Sequence, residues 1–380
     1  MSFIKSNTES NNNIFDEKVV NTSADVFIEY FSQLNGIEDY LKYVKRESVS
    51  ELNSIFSLED EFFNEDMDPL DMEFEIINVG HGGISQEHYK SLLWAVSSLN
   101  NEQNIPGREL KWLVVEKNTK KIVGFIRFGS PIINSKPRNL WIGQNPDLKI
   151  FNQHAVMGFV IVPSQPFGYN YLGGKLLALI CTSHFARKKI NDVFKKNICL
   201  FETTSLYGST TSCSMYDGLK PFIKFIGLTE SKFIPLLHDK QFNKLHKDFM
   251  NANNGNPLTD NSASSKKLKR QNRMISIIRN SLTDKEKLEK FNNAIDKAFS
   301  ITEQKRFYVS DYGFSNVKEI LKGEETELKP GQNYHKHELD YIISWWKKKA
   351  SKRYNKLKSE KRFRTKVELW TETSDIQIIR

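Results

Sequence analysis

Apolar and polar positions change period several times along the chain, and each change predicts an element. Residues 1–24 are polar and aperiodic, which predicts an unstructured tail. From Asp25 to Val44, Phe27, Phe31, Leu34, Ile37, Leu41 and Val44 recur at helical spacing, with Gly36 as a weak point. Acidic residues then crowd around scattered aromatics in SLEDEFFNEDMDPLDMEFE, the pattern of a solvated linker or an acidic docking segment. Tyr89, Leu92, Leu93, Val96 and Leu99 predict another helix. The runs LKWLVVEK and KIVGFIRFGSP predict two strands joined by a short turn at Asn118 and Thr119. After NSKPRNLWIGQNPDLK, read as a loop, HAVMGFVIV from His154 is dense in β-branched and aromatic side chains and predicts a buried strand. Leu176, Leu177 and Ile180 return to a helical period, and NICLFETTS and FIKFIGLT predict two more strands around a short helix.

The order is that of a mixed α/β sheet and not of a regular βαβ alternation, which places an α/β domain at residues 75–250 behind an acidic tail and helical segment at 1–74. Residues 251–270 read as a polar linker, and 271–380 as a basic helical region. In that region Leu288, Phe291, Ile295 and Phe299 predict one helix. A longer one runs from about His337 to Arg364, with Leu339, Ile342, Ile343, Trp346, Ala350, Tyr354 and Leu357 on one stripe. Lys347, Lys348, Lys349, Lys352, Arg353 and Lys356 fill the rest, so the helix can bury one side and offer phosphates the other.

Charge sharpens this division. The formal net charge is +9, yet residues 1–75 carry 5 basic and 18 acidic side chains whereas residues 261–380 carry 28 and 16. A basic end of this size favours a polyanion such as nucleic acid, and the acidic front either covers that surface or binds a separate protein. Cys181, Cys199 and Cys213 have no metal-ligand spacing, no signal-like segment opens the chain, and no apolar run reaches the roughly 20 residues that cross a bilayer. These features predict a cytoplasmic setting, or a host's cytoplasm for a phage product, without a membrane partner. His81, His154, His184 and the pair in HKH at 335–337 lack zinc spacing, so no metal site is expected.

Two places suggest chemistry. Between the strand that ends at Val162 and the helix that opens at Gly173 and Gly174 lies PSQPFGYNYL, and a strand, a glycine-spotted turn and a helix in that order aim backbone N–H groups at an anion. In LFETT, Glu202 interrupts an apolar strand. A carboxylate there requires a cause: an acid–base role, a salt bridge to one of the many lysines, or an outward-facing position.

The order of elements over 76–235 resembles the GNAT-type N-acetyltransferases. In that family the fourth strand ends in V-x-P and a Q/R-x-x-G-x-G/A turn wraps the pyrophosphate of coenzyme A; here VIVP ends at Pro163, and Gln165, Gly168, Gly173 and Gly174 populate a turn about three residues longer. Asn170 stands where the second small residue is expected. The resemblance implies acetyl coenzyme A or a related acyl donor at Val162, Gln165, Gly168, Gly173 and Gly174. It also implies that Tyr216, in CSMYDGL, is the acid that protonates the leaving thiolate, with Glu202 as base or as the holder of a relaying water. LWIGQ, FVIVP, LFETT and TSCSMYDGLK further resemble the DruA-like proteins of bacterial anti-phage defence. GFIRFGSP with a later tyrosine is similar to the phage Mom-type proteins that modify adenine in DNA, although Thr204 stands where those carry an acidic residue. Together the resemblances imply acyl or related group transfer to a nucleic-acid base. Two alternatives are a nucleic-acid-binding protein on the same fold without catalysis, and a protein N-acyltransferase.

Overall fold

The computed structural model describes residues 15–49, 58–80, 84–98, 107–206, 214–232, 234–259, 266–301 and 304–376. The chain opens with α1 (Glu17–Ser32), capped by the Asp16 carboxylate, and α2 (Ile37–Val49). Helix therefore begins inside the stretch expected to be a tail, and the break between the two helices falls beside Gly36. Next come β1 (Phe74–Asn78), α3 (Gln86–Val96), β2 (Glu109–Glu116) and β3 (Ile122–Gly129). The expected loop after β3 instead folds as α4 (Lys136–Ile142) and α5 (Leu148–His154). Pro137 lies in the first turn of α4, where its missing N–H costs nothing; Gly143 closes that helix at φ 99°, and the Asp147 carboxylate caps α5.

Then follow β4 (Ala155–Pro163), α6 (Phe167–Tyr171), α7 (Gly173–Cys181), α8 (His184–Phe194), β5 (Leu200–Ser205) and β6 (Lys224–Lys232). The chain continues through α9 (Asp239–Ala252), α10 (Lys266–Ser281), α11 (Lys285–Ser300), β7 (Gln304–Ser310), α12 (Val317–Lys322) and α13 (Leu339–Ser359).

These elements form two compact units, one of residues 1–40 with 234–302 and one of 41–233 with 303–380. This division differs from the expected boundaries at 75, 250 and 270. The part of the linker at 266–270 is helical, and the region expected to be helical supplies β7. In the first unit α1 packs against α9, α10 and α11, with Phe27 edge-on to Phe291 at 5.8 Å. The buried Gln271 is satisfied there: it accepts from the Leu237 amide at 2.8 Å and donates to the Pro235 carbonyl at 3.0 Å.

The second unit is built on a seven-stranded sheet in the order β1-β2-β3-β4-β5-β7-β6. Only β4 and β5 pair in parallel; every other neighbour is antiparallel. Helices cover both faces. On one, α7 lies so close that a Cβ at Gly124 would meet Leu177 at 2.4 Å. On the other, Tyr89 of α3 meets Phe125 edge-on at 5.5 Å. The stripe of α13 is buried as the sequence predicts: Ile342, Trp346, Ala350 and Leu357 are inside. Trp346 packs against Phe74 and Phe167 and donates from Nε1 to the Tyr171 carbonyl at 2.9 Å. No helix among the described residues is long and apolar enough to cross a membrane.

Trp346→Ala should cost ~3–5 kcal/mol, because it opens a cavity and leaves the Tyr171 carbonyl without its donor. Urea unfolding should show the loss as a lower midpoint at unchanged slope.

Candidate functional site

The parallel pair is short. β4 pairs with β5 only from Ala155 to Gly158 against Leu200 to Thr203. Beyond that point β4 continues to Pro163 beside β3, and β5 continues to Ser205 beside β7, so the two strands part. At the branch, Thr203 Oγ1 donates to the Gly158 carbonyl at 3.0 Å and lies 3.5 Å from the Tyr216 hydroxyl. Burial pushes the Tyr216 pKa above that of an ordinary phenol, so it carries its proton at neutral pH. Tyr216 sits in a turn and not on the helix expected there. Its ring lies 5.2 Å from that of Tyr308.

A charged network stands at the open end of this fork. Tyr308 donates to Asp217 Oδ1 at 2.9 Å, while Arg306 reaches the Tyr308 hydroxyl at 2.7 Å and the same carboxylate at 3.3 Å. Lys175, in the first turn of α7, donates to the Asp217 carbonyl at 2.5 Å. None of these four residues stands out in the sequence. Arg306 and Tyr308 lie on β7, a strand whose short run QKRFYVS sits in a region otherwise read as helical.

The turn expected to wrap a pyrophosphate is largely helical, which corrects the picture of a loop of free amides. The Gly168 amide donates to the Ser164 carbonyl, the Tyr169 amide to Gln165 Oε1 and the Asn170 amide to the Pro166 carbonyl. The glycines make room for protein: a Cβ at Gly168 would meet Gln165 at 2.5 Å, at Gly173 the Phe167 ring at 2.5 Å, and at Gly174 the Met215 sulfur at 2.9 Å. Asn170 bonds both ways to the Arg364 backbone, and the Glu368 amide donates to the Gln165 carbonyl. Val162 pairs with Phe125 and is half-buried in the core. At the start of α7 Leu172, at φ 57°, supplies no side-chain cap, but Gly173 and Gly174 are buried under Phe167 and Met215.

Glu202 is on the opposite face of the sheet from Thr203, because side chains alternate along β5. The structure therefore does not bring Glu202 and Tyr216 together. The cause sought for Glu202 is a buried ion pair: Arg138 Nη1 lies 3.5 Å from Oε1, both side chains are fully buried, and Oε2 has no partner among the described residues. Arg138 also donates to the carbonyls of Ile132 at 2.6 Å and Ile133 at 2.9 Å, and its guanidinium lies over the Phe151 ring at 4.1 Å. The partner is an arginine from the stretch read as a loop, not a lysine. Burial outweighs Arg138 and raises the Glu202 pKa to about 7.

Three of the histidines singled out in the sequence each contact a backbone carbonyl. His154 Nδ1 lies 2.7 Å from the Asn197 carbonyl, His184 Nε2 lies 2.9 Å from the Tyr334 carbonyl, and His337 Nδ1 lies 2.7 Å from the Thr182 carbonyl. His81 and Cys213 lie outside the described residues, and Cys181 and Cys199 are buried thiols. Among the described residues no group of three or more His, Cys, Asp or Glu is placed to hold a metal.

On α13, Lys348, Lys349, Lys352 and Lys356 are exposed, the last 3.8 Å from Glu360. Lys347 is partly covered and donates to the Leu70 carbonyl at 2.7 Å, and Arg353 donates to the Tyr169 carbonyl at 3.2 Å. The acidic front reaches the same helix. Asp66 accepts from the Tyr354 hydroxyl at 2.8 Å and pairs with Lys358.

Residues 35–215 match the family described as Druantia protein DruA. The match covers a little under half of the chain; of the segments that carry the resemblance in the sequence it includes LWIGQ, FVIVP and LFETT and ends inside TSCSMYDGLK. The DruA-like stretch holds the whole β4–β5 fork and Arg138, whereas Tyr216, β6, β7 and α13 lie beyond it. No curated protein and no solved structure matches the chain.

The Glu202 pair sets a pH signature. Between the ordinary carboxyl value of 4.5 and about 7 the folded chain keeps a proton that the unfolded chain has released, so this group's contribution to stability declines as pH rises through that window. His337, pushed down to about 4 by burial, acts oppositely and withdraws stability as pH falls from 6.5 towards 4. In urea titrations across both windows, Glu202→Gln should remove the first decline and leave the second.

Proposed function

We propose that this protein transfers an acyl or related group from a coenzyme A-like thioester to an amino group of a nucleic-acid base, in the phage or anti-phage setting that the DruA-like resemblance implies. The observation that carries this reading is the fork: a parallel pair that parts beyond Gly158 with a buried, protonated Tyr216 at its branch. The strand order, with one parallel pair in the middle of an otherwise antiparallel sheet, supports the acetyltransferase resemblance on which the donor rests.

The residues beside the fork fit such a donor in part. The amides at 168–170 are already occupied and Gly173 and Gly174 are buried, but Lys175 and Arg306 supply cationic groups suited to phosphates. When bound, the donor would present an acyl carbon made electrophilic by sulfur. Tyr216 presents its hydroxyl to Thr203 at the branch, whereas that of Tyr308 is held by Asp217 and Arg306. Tyr216 would be the proton donor to the departing thiolate and would regain the proton that the base nitrogen sheds on acylation. Thr203 holds the phenol in position. Glu202 has no part in this reading, because the sheet separates it from the fork.

The reading without catalysis has its own support in the occupied amides and in the cationic α13, which need no donor. Two measurements decide between them. A saturating coenzyme A ester should raise the melting temperature, by the equivalent of ~2.7 kcal/mol at ~100 times its dissociation constant. Mass spectrometry of nucleosides from cells expressing the chain should reveal an acylated base, and Tyr216→Phe should lower its rate of formation by ~10²- to 10⁴-fold while the thermal shift persists. Unmodified nucleosides beside a modified protein would exclude the base as acceptor.

The acidic front enters the same experiments. Asp66→Asn frees Lys358 and Tyr354, and it should tighten duplex DNA binding modestly, by ~2- to 5-fold, as one more cation becomes available to a phosphate. Fluorescence anisotropy at low salt reads the change.

A further inference from the structure

Beyond α13 the chain brings more positive charge to one aromatic ring. Arg364 lies over Tyr169 with its guanidinium 3.8 Å from the ring centre, Arg353 lies 4.6 Å from it, and Arg362 donates to the Tyr169 hydroxyl at 2.9 Å. Two of the three come from the segment after the helix, whose backbone is held to α6 by Asn170. Lys349, Lys352, Arg353 and Lys356 follow the i, i+3, i+4, i+7 spacing that puts them on one face of α13, and that face leads into the arginines.

We infer that the guanidinium cluster at Tyr169 is a phosphate clamp for the backbone of duplex nucleic acid, entered along the Lys349–Lys356 face of α13. This proposal rests on the nucleic-acid acceptor read above and names the part of the chain that holds it. Guanidinium groups bind phosphate oxygens in pairs, and Tyr169 keeps these at a fixed spacing before any ligand arrives. The carboxylates nearby do not close the site. Glu360 pairs with Arg362 at 2.8 Å at the surface, where such a pair contributes little and a phosphate can displace it, and Glu368 pairs with the partly buried Arg364 at 3.0 Å through Nη1 alone, which leaves the rest of that guanidinium for a phosphate. A bilayer fits the face poorly, because Ile342, Trp346, Ala350 and Leu357 are all inside and leave beside the lysines only Tyr341 and the half-buried Trp345 under Lys349. An acidic protein would want an apolar centre to its interface, which the face equally lacks.

The test uses the full chain without donor and a labelled DNA duplex, with the affinity read by anisotropy over a range of salt. Arg362→Gln with Arg364→Gln should reduce the slope of log affinity against log salt by about 2, and Arg353→Gln by about 1, whatever the duplex sequence. Lys188→Gln with Lys189→Gln, on the exposed side of α8, removes as much charge elsewhere and should leave the slope unchanged. Urea midpoints close to that of the parent chain confirm that the arginine variants fold, as expected when the Arg364 backbone and not its side chain makes the bonds to Asn170. Equal effects from the α8 control would reduce the cluster to net charge and overturn the clamp. So would loss of binding to phosphatidylserine vesicles with duplex binding intact. Because no donor is present, a failure to modify bases would sink the proposed reaction without touching this result, and an unaltered slope with modification intact would sink the clamp alone.

Discussion

The parallel register of β4 and β5 is the constraint from which the rest of the second unit follows. Parallel neighbours cannot be joined by a tight turn, so the chain must cross over, and α6, α7 and α8 are that crossover. The crossover packs on one face, buries Leu176 and Leu177, and puts the start of α7 beside the end of β4. Because the pairing lasts only from Ala155 to Gly158, both strands leave it still extended, each held by its other neighbour. The slot between them is a consequence of that short register. Its chemistry comes from whatever reaches the branch: Tyr216 from the turn after β5, Lys175 from α7, and Arg306 and Tyr308 from β7.

The sheet also divides the ionisable groups into two environments. On one face Tyr216 is kept neutral near a cationic network; on the other Glu202 and Arg138 share a dry interior. The 3.5 Å separation and the orphaned Oε2 mark the latter as a loose pair, and such pairs seldom add net stability. Its clearer role is positional. Arg138 ties the carbonyls of Ile132 and Ile133 to the underside of β5, so a loop with two exposed isoleucines is fixed to the middle of the sheet.

Much of this fold is legible in the sequence where the period is long and uniform. The β2–β3 hairpin, β4, α11 and the stripe of α13 all lie where hydrophobic spacing places them. The failures have physical causes. α4 and α5 are too short for a period to emerge, and capping by Pro137, Gly143 and Asp147 does what amphipathicity does elsewhere. β7 is hidden because strand pairing is non-local: QKRFYVS is apolar only at its end, and its place between β5 and β6 depends on partners about 100 residues earlier in the chain. The glycines of the turn signal in the sequence the space they leave but not what fills it, which is Phe167 and Met215. For the site, Tyr216 could be named from resemblance, but Lys175, Asp217 and Arg306 meet only after folding. Glu202 stands out in the sequence through the cost of a carboxylate in an apolar strand, and a buried arginine meets that cost in part.

The insertion of residues 234–302 between β6 and β7 sets an order of events when the chain is made. Synthesis delivers β1 to β6 long before β7, so β5 waits with an open edge and β6 has no neighbour until residue 304 and its successors arrive. An open edge invites pairing with other chains, and closing a sheet across so long an insertion is slow. The helices that intervene pack instead on α1, which is made first. The fork and its network thus come into being in the last stage of assembly, when β7 slots between strands already formed and brings Arg306 and Tyr308 to the turn that carries Tyr216.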